Sequence, residues 1–457
     1  MNDSNTLRTQ YVDILKEQKN DLNSILNSNG SDSSINDSFE SMIDKVLEIK
    51  GKEVLPYYNF SNCESPELQA KLKDINFANQ TSLGGCFAYW QTPDLSSVNT
   101  INAKIMDRFV YGDNNETIFK VTLGKFFRLD NCTSLKYFLA GGTNDTSGRK
   151  NPLDLIHDDV PKQTINNPIN MDYLLTCVSF NSDTTGERLK KVVEFFKKVK
   201  FTNITSLNSF MATMKFPTGK EDIYSELLSE LVDEINFKNV ESMSYFMSNT
   251  NFQQGLIKLK PNKKQVFEKI KILDHWFSSY TRIGCVDLSN WEFKQVTEID
   301  SWDTNSSGGG EYLEYVHMGY NSNPTLVKLS DCWAGASRLH TLDFSGWNFG
   351  GFNYFYRNWY NAPKKLVNIY WGYDHGKGYT QEKANNEGYT FNFGGMESLS
   401  KESVIDLFNK LYDLNLTYNV ANGGTLYTQK IELHSNVKAQ LTPEDIAIAT
   451  NKGWTIV

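Results

Sequence analysis

One spacing recurs along the chain and restricts its possible folds more than any other feature. Ile75 and Phe77 are followed by Asn79, then by Leu83, Cys86 and Phe87. The same order returns as Phe127, Leu129, Asn131, Leu135, Phe138 and Leu139, and as Val199, Phe201, Asn203, Leu207, Phe210 and Met211. A further copy is Ile235, Phe237, Asn239, Met243, Phe246 and Met247. Two apolar residues spaced by two share one face of a short strand. Asn then turns the chain, because its side chain bonds nearby backbone and tolerates a left-handed conformation. The closing apolar set, at i, i+3 and i+4, is predicted to be the buried stripe of a short helix or 3-10 turn. No single copy can bury these faces alone, but stacked copies bury a continuous core. The expected fold is therefore α/β, an irregular solenoid of short parallel strands and helical or 3-10 turns.

Val286-Asp287-Leu288-Ser289-Asn290-Trp291 and Leu342-Asp343-Phe344-Ser345-Gly346-Trp347 keep the front half of the frame and add a Trp, and Leu95, Ile101 and Ile105 form a weaker copy. The anchors Phe77, Leu129, Phe201, Phe237, Leu288 and Phe344 lie 36 to 72 residues apart, so degenerate turns and insertions are expected between them. Composition agrees with a folded chain: of 457 residues, 13% are aromatic and 22% charged, unlike a disordered segment. The net charge of −8 contains no basic block, so no nucleic-acid partner is expected. Mean hydropathy is −0.47 and no apolar run is long enough to span a bilayer, so no membrane insertion is expected. Met1-Asn2-Asp3-Ser4-Asn5 lacks the basic and apolar regions of a secretory signal, from which we expect a product that stays in the cytosol where it is made or leaves by lysis. The six cysteines have no Cys-x-x-Cys or Cys-His spacing and read as free thiols packed as small hydrophobes.

Two helices are predicted before the repeats. Tyr11, Leu15, Gln18, Leu22 and Ile25 form a heptad-like seam, and Ile35, Phe39, Met42, Ile43, Val46 and Leu47 share a face that stops at Gly51. This divides the chain into a helical docking or oligomerisation segment (1–51), the repeat region with insertions (52–393) and a terminal cap (394–457). Within the cap, Ser400 and Ser403 are placed to cap one helix, and Thr442-Pro443-Glu444-Asp445 starts another. Gly453 ends that helix before a last strand from Trp454 to Val457.

The segments Val286–Phe293, Leu342–Phe349 and Ile235–Met247 resemble the BspA-like leucine-rich repeats of bacterial surface proteins. The C-terminal segment, Leu399–Leu414 followed by Ile431–Val457, is similar to the terminal cap of leucine-rich-repeat tail and receptor-binding proteins of bacteriophages. That resemblance implies a virion protein, a tail fibre or adhesin that recognises a host cell-surface glycan or protein. It also implies other virion proteins as partners through the N-terminal helices, and a homo-oligomer. A structural virion component binding other particle proteins is the alternative reading, and a bacterial repeat protein of the surface type is a third.

Little in the sequence points to catalysis. No phosphate-binding loop, nucleophile elbow, zinc-protease motif or calcium loop is present, so no catalytic residue, metal or cofactor is assigned. Asp154, Asp158 and Asp159 around His157 are expected to form a solvated acidic loop. The segment from Trp347 to Tyr379 is richer in aromatics than the repeat requires. Trp347, Tyr354, Tyr356, Arg357, Trp359, Tyr360, Tyr370, Trp371 and Tyr373 are its candidate ligand-binding residues, because rigid rings beside polar groups suit a polar partner such as a sugar. The opposing expectation is that these rings are repeat core, since strands favour aromatics. Exposure separates the two.

Overall fold

The computed structural model describes residues 60–61, 65–112, 118–141, 151–252, 255–277, 281–301, 312–322, 328–330, 332–333, 336–350, 355–356, 363–373, 390–414 and 429–457. The expected helices of 1–51 lie outside these residues. The chain is a mixed α/β protein with many short strands and few helices, and every described strand pair is parallel. Each strand pairs with one lying roughly one repeat further along the sequence.

Two kinds of repeat follow one another. In the first, Ser82, Ile105, Ser134, Asn170, Ser206 and Ser242 pair in succession, and the last four are spaced by 36 residues. Two of these longer repeats carry helices, α2 (Glu187–Lys198) and α3 (Glu221–Asp233), which follow the short α1 (Pro66–Lys71). Leu189, Val192, Val193 and Phe196 form the buried stripe of α2, and Leu228, Leu231 and Val232 that of α3, as amphipathic spacing requires. In the second kind, each repeat contributes up to three strands to three parallel columns. Ile257–Leu259, Ile283–Asp287, Tyr315–His317, Thr341–Asp343 and Asn368–Tyr370 form the first, Gln265–Phe267, Trp291–Phe293, Tyr320–Asn321 and Gly346–Trp347 the second, and Ile272–Asp274, Glu298–Asp300, Lys328–Ser330 and Phe355–Tyr356 the third. Partners such as Gln265 and Trp291, or Thr341 and Tyr315, are 26 residues apart.

The gap of 72 residues between Leu129 and Phe201 hides one further copy. Ile165 pairs with Phe201 and occupies the same place, midway between the two anchors. Its front partner is Gln163 rather than an apolar residue, which removes the copy from a hydrophobic pattern. Gln163 is buried, and its side chain replaces packing with two bonds to one neighbouring repeat: Nε2 donates to the Phe127 carbonyl at 2.9 Å and Oε1 accepts from the Leu129 N–H at 2.8 Å. Gln265 plays a similar part, donating to the Ile235 carbonyl at 3.0 Å.

The corner asparagines are used differently from expectation. None of the frame's corner Asn residues adopts a left-handed backbone. At three of these corners the side-chain amide instead donates to the preceding repeat, Asn131 to Ile101 at 2.9 Å, Asn203 to Asn166 and Asn290 to Pro261, and Asn102 and Asn167 make the same kind of bond to Ala78 and Asp130. Stacked repeats present carbonyls along the corner, and a side-chain donor reaches them without bending its own backbone. Asn131→Ala is expected to lower stability by about 1 kcal/mol, the usual worth of one such bond, as measured by urea unfolding.

The closing half of the frame is not helical. Leu207, Phe210 and Met211 are buried as expected, but the segment is a chain of turns. Leu207, Ser209, Met211 and Thr213 donate their N–H groups to the carbonyls of Ser242, Ser244, Phe246 and Ser248 in the next repeat, at 2.7–2.9 Å. A helix would spend those donors inside the segment and leave the stack unpaired. Alternate pairing requires one residue per turn in the left-handed region. Gly85, Arg108, Tyr137, Tyr173, Ser209, Tyr245, His275 and Ser301 take it in eight successive repeats, with φ between 47° and 65°. The front anchors are likewise less regular than expected: Val199–Phe201 is a strand, whereas Phe77–Asn79 is a 3-10 turn.

One apolar cluster runs from Leu68 to Trp454. Phe109 and Phe138 stack at 5.8 Å, Phe210 and Phe246 at 5.9 Å, and Phe267 lies within 4.9 Å of Phe237, Trp291 and Phe293. An ion network joins three repeats, with the buried Glu234 carboxylate held by Lys200 and, at 2.8 Å, Lys263. Burial pushes this carboxyl up, but the two ammonium groups overcome it and hold it below the usual range. A lowered carboxyl contributes stability above its unfolded pKa and loses it as pH falls through the folded value. The stability lost in Glu234→Gln, about 1–2 kcal/mol at pH 7, should therefore shrink as pH falls below about 4.

At the C-terminus, Ser400 caps α4 (Lys401–Lys410) by accepting from the Ser403 N–H. After the one-turn α5 (Ser435–Lys438), a capping box of Thr442 and Asp445 starts α6 (Pro443–Thr450). Gly453, at φ 88°, follows that helix. The last strand, Trp454–Ile456, pairs with Gln429–Leu433, which pairs with Thr390–Phe393.

Candidate functional site

In several turns the left-handed residue carries its side chain toward the outer side of the stack, although Ser209 and Cys177, which are also left-handed, are buried. That position holds Arg108, Tyr137, Tyr173, Ser209, Tyr245 and His275 in successive repeats. Tyr137 and Tyr173 stack at 4.5 Å with their planes 4° apart, and Tyr245 stacks on His275 at 4.6 Å. The row continues in the other direction through Tyr111, edge-on to Tyr137 at 6.0 Å, and Tyr89, edge-on to Tyr111 at 5.5 Å. The Arg108 guanidinium lies 5.1 Å from the Tyr137 ring centre and 5.6 Å from that of Tyr111, a cation–π arrangement. Tyr111 is buried, Tyr137, Tyr173 and His275 are half-buried, and Tyr89 and Tyr245 are 40% and 42% exposed. Burial raises the phenols of Tyr137 and Tyr245, so both are neutral donors at pH 7.

A polar ladder fixes the backbone beneath these rings. Asp107 accepts from the Ser134 hydroxyl and the Lys136 N–H, and Asp172 accepts from the Ser206 hydroxyl and the Asn208 N–H. Asn208 repeats the pattern with the Ser242 hydroxyl at 2.6 Å and the Ser244 N–H at 2.8 Å. Each acceptor therefore locks the next repeat in register. The rings are held at the repeat spacing before any ligand arrives, which lowers the ordering cost of binding.

The sequence-predicted cluster is divided by the structure. Trp347 is buried, its Nε1 donating to the Met318 carbonyl at 3.3 Å, and Trp371 is buried, its Nε1 donating to the Ser403 carbonyl at 3.1 Å. These two indoles present no face to a ligand and belong to the core. Tyr370 and Tyr373 are 50% and 46% exposed. Tyr356 lies in the strand Phe355–Tyr356, and its side chain, like Tyr354, Arg357, Trp359 and Tyr360, lies outside the described residues. The tyrosine row was not singled out in the sequence, although its signal is present: a Tyr directly before the core residue of the frame, in Tyr137-Phe138, Tyr173-Leu174 and Tyr245-Phe246.

The acidic group around His157 is a solvated loop only in part: Asp158 and Asp159 are exposed in a turn, whereas Asp154 and His157 are tied into the stack. Asp154 sits in the strand Asn151–Ile156 and pairs with Lys191 of α2 at 2.7 Å. His157 is buried, contacts the Lys191 carbonyl at 2.7 Å, and is held by burial below its ordinary pKa. Lys198 of α2 donates to the carbonyls of His157 and Asp158. The cluster thus ties α2 to the stack. Of the cysteines among the described residues, Cys86, Cys132, Cys177 and Cys332 are buried free thiols and Cys285 is a half-buried one. Among the described residues no group of three His, Cys, Asp or Glu side chains converges as a metal site, and no helix is long and apolar enough to cross a membrane. Neither a protein family, nor a curated protein, nor a solved structure matches the chain.

Proposed function

We propose that this chain is a recognition protein of a bacteriophage particle, an irregular leucine-rich-repeat solenoid whose outer tyrosine row binds a glycan of the host surface. The observation that carries the reading is the row itself: Tyr89, Tyr137, Tyr173 and Tyr245 are kept on an outer face, at a repeating spacing, over a hydrogen-bonded polar ladder. Rings that served packing alone would gain more from the core a few ångströms away. Rigid tyrosines beside fixed polar groups are a surface suited to sugars, since each ring offers an apolar face and a hydroxyl at low entropic cost. Repetition along the stack suits a polymeric ligand, because several weak contacts add through one chain. The bacteriophage assignment is supported by the resemblance of Val286–Phe293, Leu342–Phe349 and the C-terminal segment.

The test is binding of the purified chain to an array of bacterial surface polysaccharides, together with detection of the chain in purified particles by antibodies. Binding to at least one polysaccharide, and adsorption blocked by the antibodies, is the expected result. Binding that survives removal of envelope polysaccharide and is lost on protease treatment of the cells would assign a protein receptor instead.

A further inference from the structure

The stack changes from the longer repeats to the shorter ones between Ser242 and Ile272, and the strands part there. Ser206 pairs with Ser242 and Ile272 with Glu298, but among the described residues no strand pairing joins Ser242 to Ile272. The two chains are bonded on either side of the gap, by Glu268 N–H to the Lys238 carbonyl at 3.1 Å and by Tyr245 N–H to the Asp274 carbonyl at 3.2 Å. Between those bonds lies a cleft of about 510 Å³, lined by Ser244, Lys269, Lys271, Ile272, Asp274 and Gln295 among others. Lys269 is paired with Glu241 at 3.0 Å, while Lys271 has no carboxylate partner among the described ion pairs. At its rebonded end stand Tyr245 and His275, stacked on each other, with the His275 ring bonded to the cleft-lining Asp274 carboxylate.

Resting on the recognition reading above, we propose that this cleft is the specificity pocket for one or two sugar residues of the bound glycan. Its volume falls in the range of small-molecule sites and is too small for a folded protein element. Donors from Lys271 and Gln295 and acceptors from Asp274 and Ser244 share one opening, which matches neighbouring hydroxyls that both donate and accept. The exposed Tyr245 ring beside it offers an apolar face for the C–H side of a pyranose. The outer row supplies general affinity, and the cleft selects the sugar.

The experiment is saturation-transfer NMR on the full chain with the methyl glycosides of glucose, galactose, N-acetylglucosamine and rhamnose as probes. At least one glycoside should receive saturation. Its affinity should fall at least tenfold in Tyr245→Ala and in Lys271→Glu, and stay within twofold in Tyr320→Ala, an exposed ring outside the cleft. Both altered side chains are exposed, and thermal melts check that the variants fold. Unchanged affinity in both cleft variants overturns the inference, as does the absence of transfer to any of the four probes from a chain that still binds polysaccharide on the array; either outcome leaves the recognition reading standing. A chain that also binds no polysaccharide loses both.

Discussion

Replacing Phe237 with alanine should destabilise the protein by about 3–5 kcal/mol, the cost of removing a fully buried aromatic ring. Phe237 is completely buried and sits where the longer repeats give way to the shorter ones. Its ring lies 4.8 Å from Phe267, 5.1 Å from Trp291 and 6.1 Å from Phe246. Phe246 belongs to the same repeat and Phe267 and Trp291 to the next two strands along the stack, so the cavity cannot be closed by one side chain moving. Phe237→Leu should cost much less, about 1–2 kcal/mol, because most of the volume is kept. Urea unfolding by tryptophan fluorescence measures both. A loss under about 1 kcal/mol in the alanine variant would mean that the two kinds of repeat do not share this core.

The second large effect concerns binding. Tyr137→Ala with Tyr173→Ala removes the closest ring pair on the outer row, stacked at 4.5 Å. As a hot spot of the proposed face, the pair should cost about 2 kcal/mol or more on removal, roughly a thirtyfold loss in affinity for the proposed polysaccharide ligand. The same double variant should lose about 1–3 kcal/mol of stability, since both rings are half-buried and their stacking adds about 0.5–1.5 kcal/mol. Biolayer interferometry and urea unfolding together separate the two effects. A variant that loses stability and keeps affinity would make the row a structural device.

Much of the architecture was legible in the sequence because the core-facing residues obey one frame. Phe77, Leu129, Phe201 and Phe237 were placed in the core by spacing alone, and all are buried. The capping of α4 by Ser400, the start of α6 at Thr442-Pro443 and the strand after Gly453 follow from local chemistry that does not depend on distant contacts. Where the reading failed, the cause was a demand made by the neighbouring repeat. The Ile165 copy was invisible because Gln163 meets its neighbour by hydrogen bonds rather than by packing. The helical turn became a chain of turns because its N–H groups are needed between repeats.

The candidate site was harder to read, for a related reason. A dense run of aromatics drew attention to Trp347 and Trp371, yet density does not distinguish an inward ring from an outward one, and both are core. The outer tyrosines are single residues 36 to 72 positions apart, brought into a row by the stack. They share a left-handed backbone, which no residue preference announces, since tyrosine seldom adopts that conformation.

The most direct test of the recognition face is hydroxyl-radical footprinting of the tyrosine side chains, with and without polysaccharide extracted from a bacterium that the chain binds. Protection of Tyr89, Tyr137, Tyr173 and Tyr245, with Tyr370 and Tyr373 unchanged, is the predicted result. Protection confined to Tyr370 and Tyr373, with the outer row as reactive as in the free chain, would contradict it.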